Sequence, residues 1–534
     1  MSGHYAMPMR LLRQYLMPES AQADHPPLTP DALRAWIAAL PLNRPLEAAG
    51  AIADQAARVR RREANVRARI RLYDLLYDVA GQVLPQIEEK LGRASLPLSP
   101  QADALIEQAN RLLKEFGHGY ASIAAEVSGK WLGLGFAKPL RVATLRGLAS
   151  HARRLMLAYR AYAGGSRSAW NSMHRLYRIA RDGGFAVDQI DNGFTVEQIY
   201  LRALLMAFAD PARLRAGELD RVRFYIERYG QLAVLGDPAG ALTGKAASGG
   251  LFLVRQNTGN AGRSLVKWHD LKVQPDDLIV DCTALIGKVA EHVRGLEANI
   301  VPARLGLPLV ARQPQYLAML KSMMAGWGAP AMRRFHRARF HPRVDLAAGF
   351  EAAWRFLDGP AYRRRHNERG EPESPAGQVS EWAILNESAS GFALRLVADG
   401  TMEVRVGELV AMRPHDRGTV QACLARRALS AKGSKLVMGL EALASRPLAI
   451  TIALPDPQAL RRGESGPMRQ VRAILLLKLP SQKNAPALLA AHDEVWPGIE
   501  FTVTNRGRQT RLRVARRLEK TASAELYLLE RGGT

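Results

Sequence analysis

The sequence predicts an α+β multidomain protein, with an all-helical region in front, a small antiparallel β-barrel behind it and a further small β unit at the C-terminus. Three observations carry this reading. The 534 residues exceed one ordinary compact domain and suit about three or four. From about Thr29 to Gly230 apolar residues recur at helical spacing, whereas from about 344 onward the apolar runs are short and separated by Gly, Asp, Asn and Ser. The expected divisions are an N-terminal segment over 1–28, a helical domain over 29–235, a linker and mixed α/β segment over 236–330, the barrel over 331–450 and the C-terminal unit over 451–534.

In the helical region, Val66, Ile70, Tyr73, Tyr77, Ala80, Leu84, Ile87 and Leu91 follow one another in steps of three and four and lay one stripe along a helix. Pro85 falls within that stripe, so a kink or two separate helices are expected there. Thr29-Pro30-Asp31 and Ser99-Pro100 each set a capping hydroxyl before a proline suited to the first helical position. Further helices read at about 99–116, 139–163, 166–182, 195–208 and 213–229. On one of them Trp170, His174 and Tyr177 share a face, and an aromatic stripe at that spacing is expected to pack in the core.

Gly, Ala and Ser between Gly236 and Gly250 mark a linker or long loop. Strand-like Leu251 to Val254 and Leu278 to Val280 follow, with a helical run from Ala284 to Leu296, and the pattern assigns this segment no fold. Strands are then expected in Val344 to Leu357, Glu381 to Leu385, Phe392 to Val397, Leu409 to Arg413, Thr419 to Arg426 and Leu436 to Leu440. Many short strands with frequent turns suggest a small barrel. Tyr362 to Gln378 reads as an exposed insertion, and Val471 to Leu477, Phe501 to Asn505, Gln509 to Ala515 and Ala524 to Leu529 imply the last β unit.

Seventy-five Lys and Arg against 50 Asp and Glu leave a formal charge of +25, which favours anionic partners through long-range attraction. The two cysteines, Cys282 and Cys423, lie far apart in apolar stretches, so neither a disulfide framework nor a thiolate metal site is implied and a reducing cytoplasm fits. Residues 1–22 lack the apolar core of a signal peptide, and no later run is long enough to span a bilayer. A cytoplasmic protein, neither secreted nor membrane-spanning, is the expectation.

Enzymatic signatures fail one by one. Gly244-Lys245 would need glycine and a hydroxyl residue where Ala239 and Ala246 stand to make a phosphate loop. No G-x-S-x-G elbow, H-E-x-x-H zinc helix or strand-borne G-x-G-x-x-G occurs. His336, His341 and His366 share a basic region, but their spacing matches no helical metal pair. The reading is therefore a binding protein, not an enzyme, with no cofactor and no metal.

The informative stretches are Arg339-Phe340-His341-Pro342-Arg343-Val344-Asp345-Leu346 and Trp382-Ala383-Ile384-Leu385-Asn386-Glu387-Ser388-Ala389-Ser390-Gly391-Phe392. Two basic residues four apart recur about ten times by chance in this composition, and Arg333 with Arg337 and Arg365 with Arg369 satisfy the spacing too. Arg339 and Arg343 are preferred because they abut a convincing strand. Asn386 and Ser388 alternate about Glu387, which in a strand sends both side chains to one face. Gly391 removes a side chain where the backbone turns or a ligand plane comes close.

Together these residues resemble the PilZ family, whose signature is R-x-x-x-R ahead of the first barrel strand plus D/N-x-S-x-x-G on a later strand and turn. The resemblance extends over about 110 residues through Val406-Gly407-Glu408-Leu409-Val410, Arg417-Gly418-Thr419-Val420 and Leu436-Val437-Met438-Gly439-Leu440-Glu441. It implies a PilZ-type barrel that binds the second messenger cyclic di-GMP through Arg339, Arg343, Asn386, Ser388 and Gly391. It further implies a signalling output in motility, adhesion or biofilm control through an unidentified protein partner. Ala338 stands where many family members carry another arginine. With its helical front the chain is also similar to large proteobacterial PilZ proteins. The chemistry suits such a ligand: an arginine fork donates in parallel to guanine O6 and N7, stacks on a purine or pairs with phosphate. Repositioning of the helical domain on binding is the expected consequence. The alternative is a basic protein that binds nucleic acid or an anionic surface with the barrel as scaffold, disfavoured because Trp354 and Trp382 sit in apolar runs rather than among basic residues.

Overall fold

The computed structural model describes residues 28–62, 65–92, 95–129, 135–190, 193–238, 249–267, 272–328, 342–358, 379–388, 390–397, 403–415, 419–431, 435–456, 467–505 and 508–532. The front is helical: α1 (Pro30–Ala38), α2 (Pro45–Arg61), α3 (Val66–Leu91), α4 (Pro100–Ser128), α5 (Ala137–Arg160), α6 (Arg167–Asp182), α7 (Val196–Phe208) and α8 (Glu218–Tyr229). Thr29, Asn65, Ser99, Ser166 and Thr195 cap their helices by accepting from the backbone amide three residues on. The stripe on α3 is buried at Val66, Tyr73, Ala80, Leu84, Ile87 and Leu91. Of the two outcomes expected at Pro85, two separate helices do not occur, since α3 runs through it. Pro85 and Gly81, whose carbonyl loses its donor, are both exposed, so that carbonyl stays open to solvent.

The segment given no fold is an antiparallel sheet in the order β1-β4-β2-β3, built from β1 (Val234–Gly236), β2 (Leu251–Arg255), β3 (Arg263–Ser264) and β4 (Asp277–Asp281), with α9 (Thr283–Glu297) and α10 (Pro314–Trp327). Phe252, Val254, Leu278, Val280 and Trp327 share one apolar core with the helices before them.

Behind it β5 (Arg343–Ala348), β6 (Ser380–Ser388), β7 (Gly391–Leu396), β8 (Leu409–Pro414), β9 (Gln421–Ala431) and β10 (Lys435–Ser445) close a barrel in the order β10-β7-β6-β5-β8-β9. Val344, Leu346, Trp382, Ile384, Leu394, Met412 and Met438 fill its interior. The strand expected over Val344 to Leu357 is shorter, because the chain turns at Gly349 (φ 89°) and continues as α11 (Phe350–Asp358). Trp354 is therefore a helix residue packed outside the barrel, its indole N–H donating to Ile450 O at 3.1 Å, and not part of an apolar strand.

The C-terminal unit comprises β11 (Leu448–Pro455), β12 (Met468–Leu479), β13 (Ala485–Ala490), β14 (Glu500–Asn505), β15 (Arg508–Lys520) and β16 (Glu525–Arg531), in the order β11-β12-β13-β16-β15-β14. The sequence pattern did not mark β11 or β13. Counted from its own first strand, this sheet has the barrel's neighbour order and is open only between β11 and β14. Its outer residues Ile474, Leu476, Leu489 and Leu526 pack with α11 against Ala347, Leu409, Ala411 and Leu424 of the barrel. The outer faces of β5, β8 and β9 are thus partly covered.

The helical region docks on the barrel from another side. Leu96 joins the barrel's apolar core and exchanges backbone hydrogen bonds with Val404, and Ser430 N donates to Tyr162 O at 2.9 Å.

Candidate ligand-binding site

Pairing determines which way each side chain of the candidate site faces. Arg343 lies opposite Ala383, and Ala383 opposite Arg395, in the register that sends Val344, Trp382 and Leu396 inward. Arg343, Ala383 and Arg395 are therefore outward neighbours. Strict alternation along β6 would then point Asn386 and Ser388 inward with Ile384. The register shifts between Ile384 and Asn386, however, leaving Asn386 opposite Ala393 and Ser388 opposite Gly391 while Glu387 faces Phe392. This bulge turns Asn386 and Ser388 onto the outer face that carries Arg343.

Arg343 is half-exposed, with Glu381 Oε1 at 3.9 Å. Ser388 donates from its hydroxyl to Gly391 O at 3.1 Å, which closes the β6–β7 turn. Gly391 has a reason independent of any ligand: a Cβ there would stand 2.0 Å from Leu440 O on β10. Arg339, like Arg333, Arg337, Arg365, Arg369, His336, His341, His366 and the insertion Tyr362 to Gln378, lies outside the described residues. The backbone entering β5 does run beside the end of β6, with Ile384 N donating to Pro342 O at 3.0 Å. Arg343, Asn386, Ser388 and Gly391 thus share one outer surface, beyond the area covered by the C-terminal sheet.

Further charged side chains come from β9. A second register shift, between Gly439 and Leu440, leaves Arg426 unpaired between Ala425 and Arg427. Arg426 reaches Glu441, at 2.6 Å, and both oxygens of Glu519 on β15, at 2.6 and 2.8 Å. Arg215, just ahead of α8, also binds Glu519 and donates to Lys520 O at 2.8 Å. Burial would push Glu519 up, but the two guanidinium groups hold it below the ordinary carboxylate range. Barrel, C-terminal sheet and helical region meet at this cluster, which joins Gly391's outward partner, Glu441, to Arg215. Arg427 faces the helical region instead, 3.7 Å from Asp210. Sequence reading missed these residues because adjacent arginines carry no sign of a bulge.

The face of Trp170, His174 and Tyr177 is core. His174 donates from Nε2 to Asn260 O at 2.9 Å and accepts the Tyr200 hydroxyl at Nδ1 at 2.6 Å, while burial lowers its pKa to about 4. Cys282 and Cys423 are buried and unbridged. Among the described residues no group of three or more His, Cys, Asp and Glu gathers to hold a metal ion, and no helix is long and apolar enough to cross a membrane.

Residues 31–239 match the family described as "Cyclic-di-GMP receptor FimW, N-terminal domain". Over 398 residues the chain is 24% identical to the cyclic-di-GMP receptor FimW of Pseudomonas aeruginosa, an alignment covering 72% of this chain and 62% of that protein. The chain thus spans less than two thirds of that relative's length.

Proposed function

We propose that this protein is a receptor for cyclic di-GMP that holds the nucleotide on a PilZ-type barrel and acts by binding rather than catalysis. The observation that carries the reading is the bulge ahead of Asn386, which turns an amide and a hydroxyl onto the outer face that also carries Arg343. The similarity of residues 31–239 to the N-terminal domain of a cyclic di-GMP receptor supports it from a separate part of the chain.

In this reading Arg343, with Arg339 from the segment ahead of β5, pairs with phosphate or with guanine O6 and N7. Asn386 and Ser388 meet a base edge or sugar, and Gly391 keeps the adjoining strand close. Binding strains the contacts beside the site, from Glu441 through Arg426 and Glu519 to Arg215, and so repositions the helical region toward a protein partner in the cytoplasm. Control of motility, adhesion or biofilm formation is the proposed output. Calorimetry tests this: wild-type protein should bind cyclic di-GMP, and an Arg343→Ala, Ser388→Ala variant with unchanged thermal unfolding should bind at least about tenfold more weakly. Equal affinity in the variant would remove the assigned site.

A further inference from the structure

A cavity of about 240 Å³ lies where the helical region, the mixed segment and the barrel meet, lined among others by Tyr162, Gly165, Trp170, Asp210, Asn260 and Arg427. Arg427 and Leu429 line it from the barrel strand β9. Asn386, Ala393, Gly439 and Arg427 are successive cross-strand partners on β6, β7, β10 and β9, so about 14 Å separates Asn386 from Arg427. Only Ala393 and Gly439 lie between them in that row.

Two residues of its lining have unusual backbone. Tyr162 (φ 52°) and Asp210 (φ 53°) both adopt left-handed conformations, which are costly for side-chain-bearing residues and concentrate at functional sites. Tyr162 is kept there by its hydroxyl donating to Leu214 O at 2.7 Å and by its carbonyl accepting from Ser430 N. The volume falls below the roughly 300–1,000 Å³ of pockets for larger ligands and suits a single planar base.

In its lining a guanidinium stands beside a carboxylate, Arg427 Nη2 3.7 Å from Asp210 Oδ1, with both side chains about half exposed. Guanine presents along one continuous edge two acceptors, N7 and O6, followed by two donors, N1–H and the exocyclic amino group. An arginine fork followed by a carboxylate is complementary to that order. Adenine would set its amino group toward the arginine and an unprotonated N1 toward the carboxylate. Trp170 and Tyr162 supply apolar ring walls, the usual second element of base recognition.

We infer that this junction cavity is a guanine subsite, with Arg427 on O6 and N7 and Asp210 on N1–H and the exocyclic amino group. The inference rests on the receptor reading above and deepens it: one end of the dinucleotide lies at Arg343 and Asn386, and one base reaches between barrel and helical region. Seating that base requires the Arg427 to Asp210 contact to exchange for base contacts, which ties occupancy directly to the junction.

The test uses the full chain and three probes: cyclic di-GMP, cyclic di-AMP and GMP. Asp210→Asn and Arg427→Ala should each weaken cyclic di-GMP about ten- to a hundredfold and narrow its preference over cyclic di-AMP. An Arg427→Lys variant, which keeps a positive charge opposite Asp210 but loses the planar fork, should lose the guanine preference, which separates recognition from mere docking. If Arg343→Ala loses cyclic di-GMP while Asp210→Asn and Arg427→Ala bind it as wild type does, the cavity assignment falls and the receptor reading stands. If wild type ignores cyclic di-GMP but binds GMP in an Asp210-dependent way, the cavity stands and the receptor reading falls. Binding of neither overturns both.

Discussion

Gly391→Ala separates what the fold asks of the signature glycine from what a ligand asks of it. The new Cβ would stand 2.0 Å from Leu440 O and 3.2 Å from the Glu441 Cα. Ordinary contact needs roughly 1.4 Å more than the first of these, and the obstacle is backbone. Leu440 has little room to retreat, because it pairs with Ala425 on β9 at the register shift and its side chain lies in the barrel core. The expected response is separation of β7 from β10 at Gly391 and Glu441, with loss of the adjoining Ala442 N to Ser390 O bond of 3.0 Å. Overpacking of this kind costs about 1–3 kcal/mol, and a lost hydrogen bond about 1 kcal/mol. The variant should therefore be destabilised by about 2–4 kcal/mol without any ligand present. Because a chain of several units need not unfold in one step, hydrogen exchange resolved by segment is the suitable assay. Amides of β7 and the facing part of β10 should exchange faster, while those of α4 and α5 stay unchanged. Wild-type exchange across β7 and β10 would refute the claim that packing, rather than a ligand, requires glycine here.

Glu519→Ala should leave Arg426 and Arg215 facing each other without their shared carboxylate, and limited proteolysis should then cut faster between the helical region and the barrel. Since the side chains stay 21–29% exposed, the loss should be nearer 2 than the roughly 3–5 kcal/mol of a fully buried pair. A double-mutant cycle with Arg215→Ala that gives no coupling would contradict the cluster's role. Burial lowers His151 to about 3 and His174 to about 4. Both remain neutral in the folded chain while the unfolded chain gains protons below about 6.5. Their effect is absent above that pH and grows as pH falls toward the folded values, costing each about 2 kcal/mol at pH 5. Denaturant titrations at pH 7.5 and 5 should differ accordingly, and a His151→Leu chain should show the smaller difference. Burial raises the Cys423 thiol to about 12 and lifts Cys282 as well, so a thiol reagent at pH 8 should label neither in the folded protein and both in denaturant.

Much of this architecture was legible in the sequence because its signals are local. Capping hydroxyls at Thr29 and Ser99 and a 3.6-residue stripe from Val66 to Leu91 need no partner to be read. The misreadings have equally local causes. Val344 to Leu357 is apolar enough for a strand throughout, and only Gly349 marks the change to α11. The Ala-rich Ala485–Ala490 has little intrinsic strand preference and forms β13 because β12 and β16 flank it. Alternation correctly placed Asn386 and Ser388 on a common face, but which face depended on a bulge that pairing with β7 creates. Asp210 and Arg427 are more than two hundred positions apart, and no spacing rule joins residues across docked units.

A crystal structure of the full chain with cyclic di-GMP would decide whether the outer barrel face carries the nucleotide. Nucleotide density is expected on the outside of β6 and β7, with a guanidinium from Arg343 on phosphate or purine and the Ser388 hydroxyl within hydrogen-bond reach. Density on any other surface, with Arg343 still turned to Glu381, would contradict it.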